Sequence, residues 1–171
     1  MKKLFLMGRS EAGKTTLTQA LEGKELHYHK TQYTNTGDDI IDSPGEYSET
    51  KRCGMGLACF SFEADVLALL MAADEPFCVF EANCQNFANR PLIGIITKID
   101  SPYANVPMVR SWMENCGCER IFEVSNYTGE GIQELRDYLA DDPVPLTLEQ
   151  AKARQALGLS DWADASQYGL V

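Results

Sequence analysis

Apolar residues recur along this chain in short, nearly unbroken runs, separated by segments where they return every three or four positions. Such runs predict strands buried on both faces, and the helical spacing between them predicts the crossovers that join parallel strands. Residues 2 to 7 open the series with Leu4, Phe5, Leu6 and Met7, and a helical segment follows over 15 to 21. A polar, threonine-rich stretch over 28 to 37 leads into a short strand at 39 to 42. Helical spacing returns over 50 to 63. Two buried strands come next, at 65 to 72 with Val66-Leu67-Ala68-Leu69-Leu70-Met71 and at 91 to 97 with Leu92-Ile93-Gly94-Ile95-Ile96. A helix over 106 to 116, a strand at 120 to 124 and a closing helix over 131 to 139, capped by Thr128-Gly129-Glu130, complete the alternation.

This order predicts an α/β fold with one mostly parallel sheet flanked by helices. The composition changes at Asp141-Asp142-Pro143-Val144-Pro145, a stiff connector, so the expected domain spans 1 to 140 and a helical tail spans 141 to 171. In the tail, Leu148, Ala151, Gln155, Ala156 and Leu159 form a small apolar face, and Trp162, Tyr168, Leu170 and Val171 add bulk. That face can dock on its own domain or in the groove of a partner protein.

Composition narrows the classes. A chain of 171 residues with 44% hydrophobic content suits one core. The first apolar run stops at Gly8, too early for a secretion signal, and no run approaches the ~20 residues of a membrane span. The expected location is therefore cytoplasmic. A net charge of −10 argues against nucleic acid or an anionic membrane as the main partner. Six cysteines without a C-x-x-C pair read as reduced thiols. Cys116-Gly117-Cys118, even beside His27 or His29, does not match the usual zinc spacings.

Charge and composition leave a bound nucleotide open, and the motifs point to one. Gly8-Arg9-Ser10-Glu11-Ala12-Gly13-Lys14-Thr15 is a complete G-x-x-x-x-G-K-T run between the first strand and the first helix, with Thr16 following. Its glycines let the backbone curl so that successive N–H groups face phosphates, and the helix adds its positive end. Lys14 would reach the β and γ phosphates while the Thr15 hydroxyl ligates Mg²⁺. Asp42-Ser43-Pro44-Gly45 fits D-x-x-G, with Asp42 holding Mg²⁺ through water and the Gly45 N–H meeting the γ phosphate. Thr97-Lys98-Ile99-Asp100 ends a strongly apolar strand. There the Asp100 carboxylate can accept both N–H groups of a guanine edge, with the Lys98 stem along the base. Thr97 stands where an asparagine is commoner and keeps a shorter hydrogen-bonding side chain. Val124-Ser125-Asn126 follows the last strand, where a backbone N–H can meet the base carbonyl.

Four motifs in this order, each at a strand end, resemble the small-GTPase-like branch of P-loop NTPases over residues 1 to about 140. More narrowly, the short distance from Thr15 to Asp42, the run Lys30-Thr31-Gln32-Tyr33 and the run Asp42-Ser43-Pro44-Gly45-Glu46-Tyr47 resemble the EutP/PduV family. That family belongs to ethanolamine and propanediol utilisation and its bacterial microcompartments. The resemblance implies that Lys30-Thr31-Gln32 is a compressed first switch in which Thr31 closes on Mg²⁺ and the γ phosphate, with Thr34 and Thr36 as alternatives. Glu46 stands where many GTPases carry a water-orienting glutamine. A carboxylate beside a γ phosphate is repelled, so Glu46 either swings outward as a solvated turn residue or takes a raised pKa and acts on a water or an acceptor.

Two activities follow. In the first, Lys14, Thr31 and Glu46 serve a GTP- and Mg²⁺-dependent switch that hydrolyses slowly and changes partners. The second, which the resemblance implies, is an acetate kinase passing the γ phosphate of ATP to acetate. It needs a cationic acceptor pocket, for which Arg9, Lys30, Lys51 and Arg52 are the nearest candidates. A third, non-catalytic role is nucleotide-dependent binding to microcompartment shell or enzyme proteins. Asp100 favours the first.

Overall fold

The structure, a computed structural model, describes residues 1–23, 35–36, 40–42, 58–59 and 62–140. Strand β1 (Leu4–Gly8) leads through a loop into helix α1 (Lys14–Glu22). The two-residue strand β2 (Asn35–Thr36), β3 (Ile40–Asp42) and β4 (Val66–Ala72) follow. A 3₁₀ turn at Cys84–Phe87 precedes β5 (Leu92–Thr97), α2 (Val106–Cys116), β6 (Arg120–Glu123) and α3 (Ile132–Leu139).

The sheet order is β2-β3-β1-β4-β5-β6, parallel throughout except for the antiparallel pair β2 and β3. The alternation of strand side chains splits the core in two. Leu4, Leu6, Val66, Ala68, Leu70, Ile93, Ile95 and Phe122 face Leu17 of α1 and Leu135 and Leu139 of α3. Phe5, Met7, Leu67, Leu69, Met71 and Ile96 join Val109, Met113 and Cys116 of α2. All seven residues of β4 are buried because the sheet is covered on both faces, and each buried leucine there contributes about 2 kcal/mol.

This architecture matches the expected mostly parallel sheet flanked by helices. Strand order reverses at β1, which has β3 on one side and β4 on the other, so the crevice beyond its carboxyl end is the natural ligand position. β1 runs one residue past the expected 2–7 span because Gly8 still pairs with Leu70. β2 and the 3₁₀ turn were not expected, since two and four residues are too few to carry a period. Of the expected helix over 50 to 63, Ala58 and Cys59 are described as helical, while Phe62 and Glu63 lie in a turn.

The proposed cap of the closing helix is corrected: Gly131, in the left-handed region (φ 72), opens α3 without a side-chain cap, and the Thr128 hydroxyl instead accepts from the Glu130 N–H at 3.3 Å. Residues 141–171 lie outside the described residues, as do His27 and His29. Among the described residues, no helix is long and apolar enough to cross a membrane.

Candidate nucleotide-binding site

The loop between β1 and α1 is built from both ends. At its start, a Cβ on Gly8 would lie 2.5 Å from the carbonyl oxygen of Leu70, so β1 can pair with β4 here only as glycine. At its end, Gly13 takes φ 96 and opens α1 with no side-chain cap, leaving the helix's first N–H groups directed at the space before it. Glu11 is also left-handed (φ 66), and such strain in a non-glycine residue gathers at ligand sites. Lys14 is buried. Its ammonium donates to the carbonyls of Gly8 at 2.7 Å and Arg9 at 2.9 Å, which holds the charge inside the curl of the loop. Thr15 and Thr16 follow in the first turn of α1, partly exposed.

Two strand ends brace this loop from behind. The Thr97 hydroxyl, fully buried, donates to the carbonyl of Ala12 at 2.6 Å, and the Asn126 amide donates to the carbonyl of Gly13 at 3.4 Å. A Cβ on Gly13 would meet these same groups, at 3.4 Å from Asn126 Nδ2 and 3.6 Å from Thr97 Oγ1. Thr97 is therefore a positioning residue for the loop, a use of its hydrogen-bonding side chain that the sequence did not specify. Lys98, left-handed at φ 56, and the exposed Asp100 follow it at the carboxyl end of β5.

Ser125 is pinned three ways. Its N–H donates to Glu130, its hydroxyl accepts from Thr128, and its carbonyl accepts from Gly129. The Ser125 N–H is thus committed within its own loop. The Asn126 Oδ1 atom is buried and has no partner among the described residues. An unmet buried acceptor is what a ligand N–H would satisfy, and with the glycine cradle and the caged ammonium it makes the residues present fit a nucleotide.

Sequence reasoning missed the loop after β4. Glu75 accepts from Arg9 Nη1 at 2.9 Å, and the Arg9 guanidinium stands 5.3 Å from the centre of the Phe77 ring. Arg9 thus leans on the loop that follows β4. Asp74 accepts from the Ser101 hydroxyl at 3.2 Å and lies 3.9 Å from the Lys98 ammonium. The signal was available: Ala73-Asp74-Glu75 directly follows a fully buried strand, at the sheet end where ligand loops gather.

Thr31, Gly45, Glu46, Lys30, Thr34, Lys51 and Arg52 lie outside the described residues. So do the side chains of Asp42 and Thr36, whose backbones are in β3 and β2. Register pairs Asp42 with Leu6, two residues before the loop. Thr15 and Asp42 both offer oxygen, which suits Mg²⁺.

Residues 1–141 match the PduV-EutP family model, described as ethanolamine utilisation - propanediol utilisation. The chain is 38% identical over 141 residues to the propanediol utilization protein PduV of Citrobacter freundii, covering 81% of this chain and 93% of that one. It is 33% identical over 145 residues to a probable acetate kinase EutP of Escherichia coli (strain K12), covering 82% and 90%. Among solved structures it is similar to the Methanosarcina barkeri Roco2 RocCORdC bound to GDP, with a TM-score of 0.53, 20% identity and coverage of 81% of this chain. This chain spans 47% of that one, and at this identity the likeness shows the fold alone.

Proposed function

The chain belongs to the PduV-EutP family, and from that membership we propose that it binds GTP with Mg²⁺ and hydrolyses it slowly as a switch in ethanolamine or propanediol utilisation. One observation carries the reading: Thr97 ties the phosphate loop, through Ala12, to the strand end that presents Lys98 and Asp100. Phosphate grip and base choice are then coupled in one rigid unit. The GDP in the Roco2 structure supports the choice of guanine nucleotide.

In this reading Lys14 exchanges its two loop carbonyls for phosphate oxygens, a charged donor moving between acceptors without leaving the cradle. Asp100 accepts from the guanine edge, Lys98 covers the base, and the Asn126 N–H meets the base carbonyl. Mg²⁺, held by Thr15, Thr31 and Asp42, would neutralise charge on the β and γ phosphates. Thr31 and Gly45 engage the γ phosphate and release it after hydrolysis, Glu46 orients the water, and the bound state selects the partner, for which a microcompartment protein is the candidate.

A second reading, acetate kinase, is favoured by the name of the EutP relatives. The engagement of Arg9 with Glu75 weighs against it, because the acceptor needs a cation.

Titration calorimetry and turnover with GTP and ATP, each with and without acetate, separate the two. GTP should bind more tightly than ATP, with slow hydrolysis indifferent to acetate. Lys14→Ala should weaken binding by about 2 kcal/mol, roughly 30-fold. ATP consumption that rises with acetate and yields acetyl phosphate would overturn the switch.

A further inference from the structure

Asp74 belongs to no motif, yet its carboxylate reaches residues on both sides of Asp100. Backbone hydrogen bonds fix the place from which it does so. The Ala73 N–H donates to the Thr97 carbonyl at 2.7 Å, and the Ala73 carbonyl accepts from the Asn105 N–H at 2.7 Å. The Glu75 N–H turns back to the Ala72 carbonyl at 3.1 Å. Ala73 is fully buried, so the loop after β4 continues the bonding of the sheet for one residue and then presents Asp74 at its exposed rim.

From there Asp74 Oδ2 accepts from the Ser101 hydroxyl at 3.2 Å, and Oδ1 lies 3.9 Å from the Lys98 ammonium. Lys98 stands two residues before Asp100 and Ser101 one residue after it. The same two residues close the turn that carries Asp100, because the Ser101 N–H donates to the Lys98 carbonyl at 2.9 Å. The Ser101 hydroxyl also accepts from the Tyr103 N–H at 3.3 Å, which sets its direction towards Asp74. Lys98 itself is left-handed (φ 56), a backbone state that a non-glycine residue keeps only where its surroundings hold it. The pair of Lys98 and Asp74 adds little to stability, since side chains 39% and 30% exposed are screened by solvent. Its use is to fix a geometry.

We propose that Asp74 is a positioning residue for base choice: by holding Lys98 and Ser101 it aims the Asp100 carboxylate at the two N–H groups of a guanine edge. The inference rests on the nucleotide reading given above. Two parallel hydrogen bonds to one carboxylate need both oxygens in line with the base edge, and a turn free to swing loses that alignment. Asp74 acts through its neighbours and does not touch the base. Next to it, Glu75 and Phe77 hold Arg9 of the phosphate loop, so one loop outside the motifs supports both halves of the site.

Titration calorimetry with Mg²⁺, comparing GDP with inosine diphosphate, tests this. The second nucleotide lacks the 2-amino group and offers Asp100 a single N–H. The unaltered chain should prefer GDP about 30-fold. Asp74→Ala should weaken GDP binding about tenfold and inosine diphosphate binding about threefold, so the preference narrows to about tenfold. Asp74→Asn keeps an acceptor for Ser101 and should retain most of the preference. The thermal midpoint of the nucleotide-free Asp74→Ala chain should stay within about 1 °C of the unaltered one. No loss of affinity in Asp74→Ala, or an equal loss for both nucleotides, would overturn the proposal and leave the nucleotide reading standing. An unaltered chain that binds no GDP, or binds it no better than inosine diphosphate, would overturn both.

Discussion

The loops that follow β1 and β4 lie side by side at one end of the sheet, yet they are specified in opposite ways. The loop after β1 is a contiguous run, Gly8 to Thr15, in which each residue type answers to a phosphate that the backbone must wrap. The loop after β4 has no motif; its chemistry comes from pairings with distant residues, Glu75 with Arg9 and Asp74 with Lys98 and Ser101. A site can thus be half written in a local pattern and half in contacts that form only after folding. Even the contiguous half depends on remote braces from Thr97 and Asn126.

Three substitutions sharpen or break that contrast. Gly8→Ala should act most strongly, because a methyl group 2.5 Å from the Leu70 carbonyl forces β1 from β4. The expected loss is about 3 kcal/mol, roughly 10 °C in thermal midpoint by calorimetry. An unchanged midpoint would mean that the motif needs no support from β4. Thr97→Val keeps the shape and removes the hydroxyl, leaving the Ala12 carbonyl unpaired, for a loss of about 1.5 kcal/mol and a few degrees. Nucleotide affinity should fall with it, about tenfold. If stability drops while affinity holds, the brace serves the fold alone.

Glu75→Gln should matter least. Its pair with Arg9 is partly solvated, with side chains 9% and 36% exposed, so denaturant titration should register about 0.5 kcal/mol. A larger loss would raise the loop after β4 from an accessory to a structural equal of the motif.

What could be read from the chain follows the same division. The strands were legible because a run such as Val66 to Met71, buried on both faces, leaves no polar interruption, and α2 was bounded correctly because Asn105 and Gly117 mark its ends. The phosphate loop was legible because one backbone segment supplies it. The part Thr97 plays was not, since the same hydroxyl could face a base or a carbonyl 85 residues away, and only the packing of β5 beside β4 decides between them. Arg9 was ambiguous for the same reason. Cys84 and Cys116 gave no spacing signal because the 3₁₀ turn that carries one and the end of α2 that carries the other meet only through Asn83 and Gln85.

The separation of the loop from its braces also bears on synthesis. Ala12 waits for a residue 85 positions later, and Gly13 for one 113 positions later. At ordinary translation rates that is an interval on the order of ten seconds. The loop is therefore synthesised well before the residues that brace it. A nascent chain halted before Thr97 would present the whole motif with no brace behind it, and nucleotide capture would wait for β5 and the segment after β6.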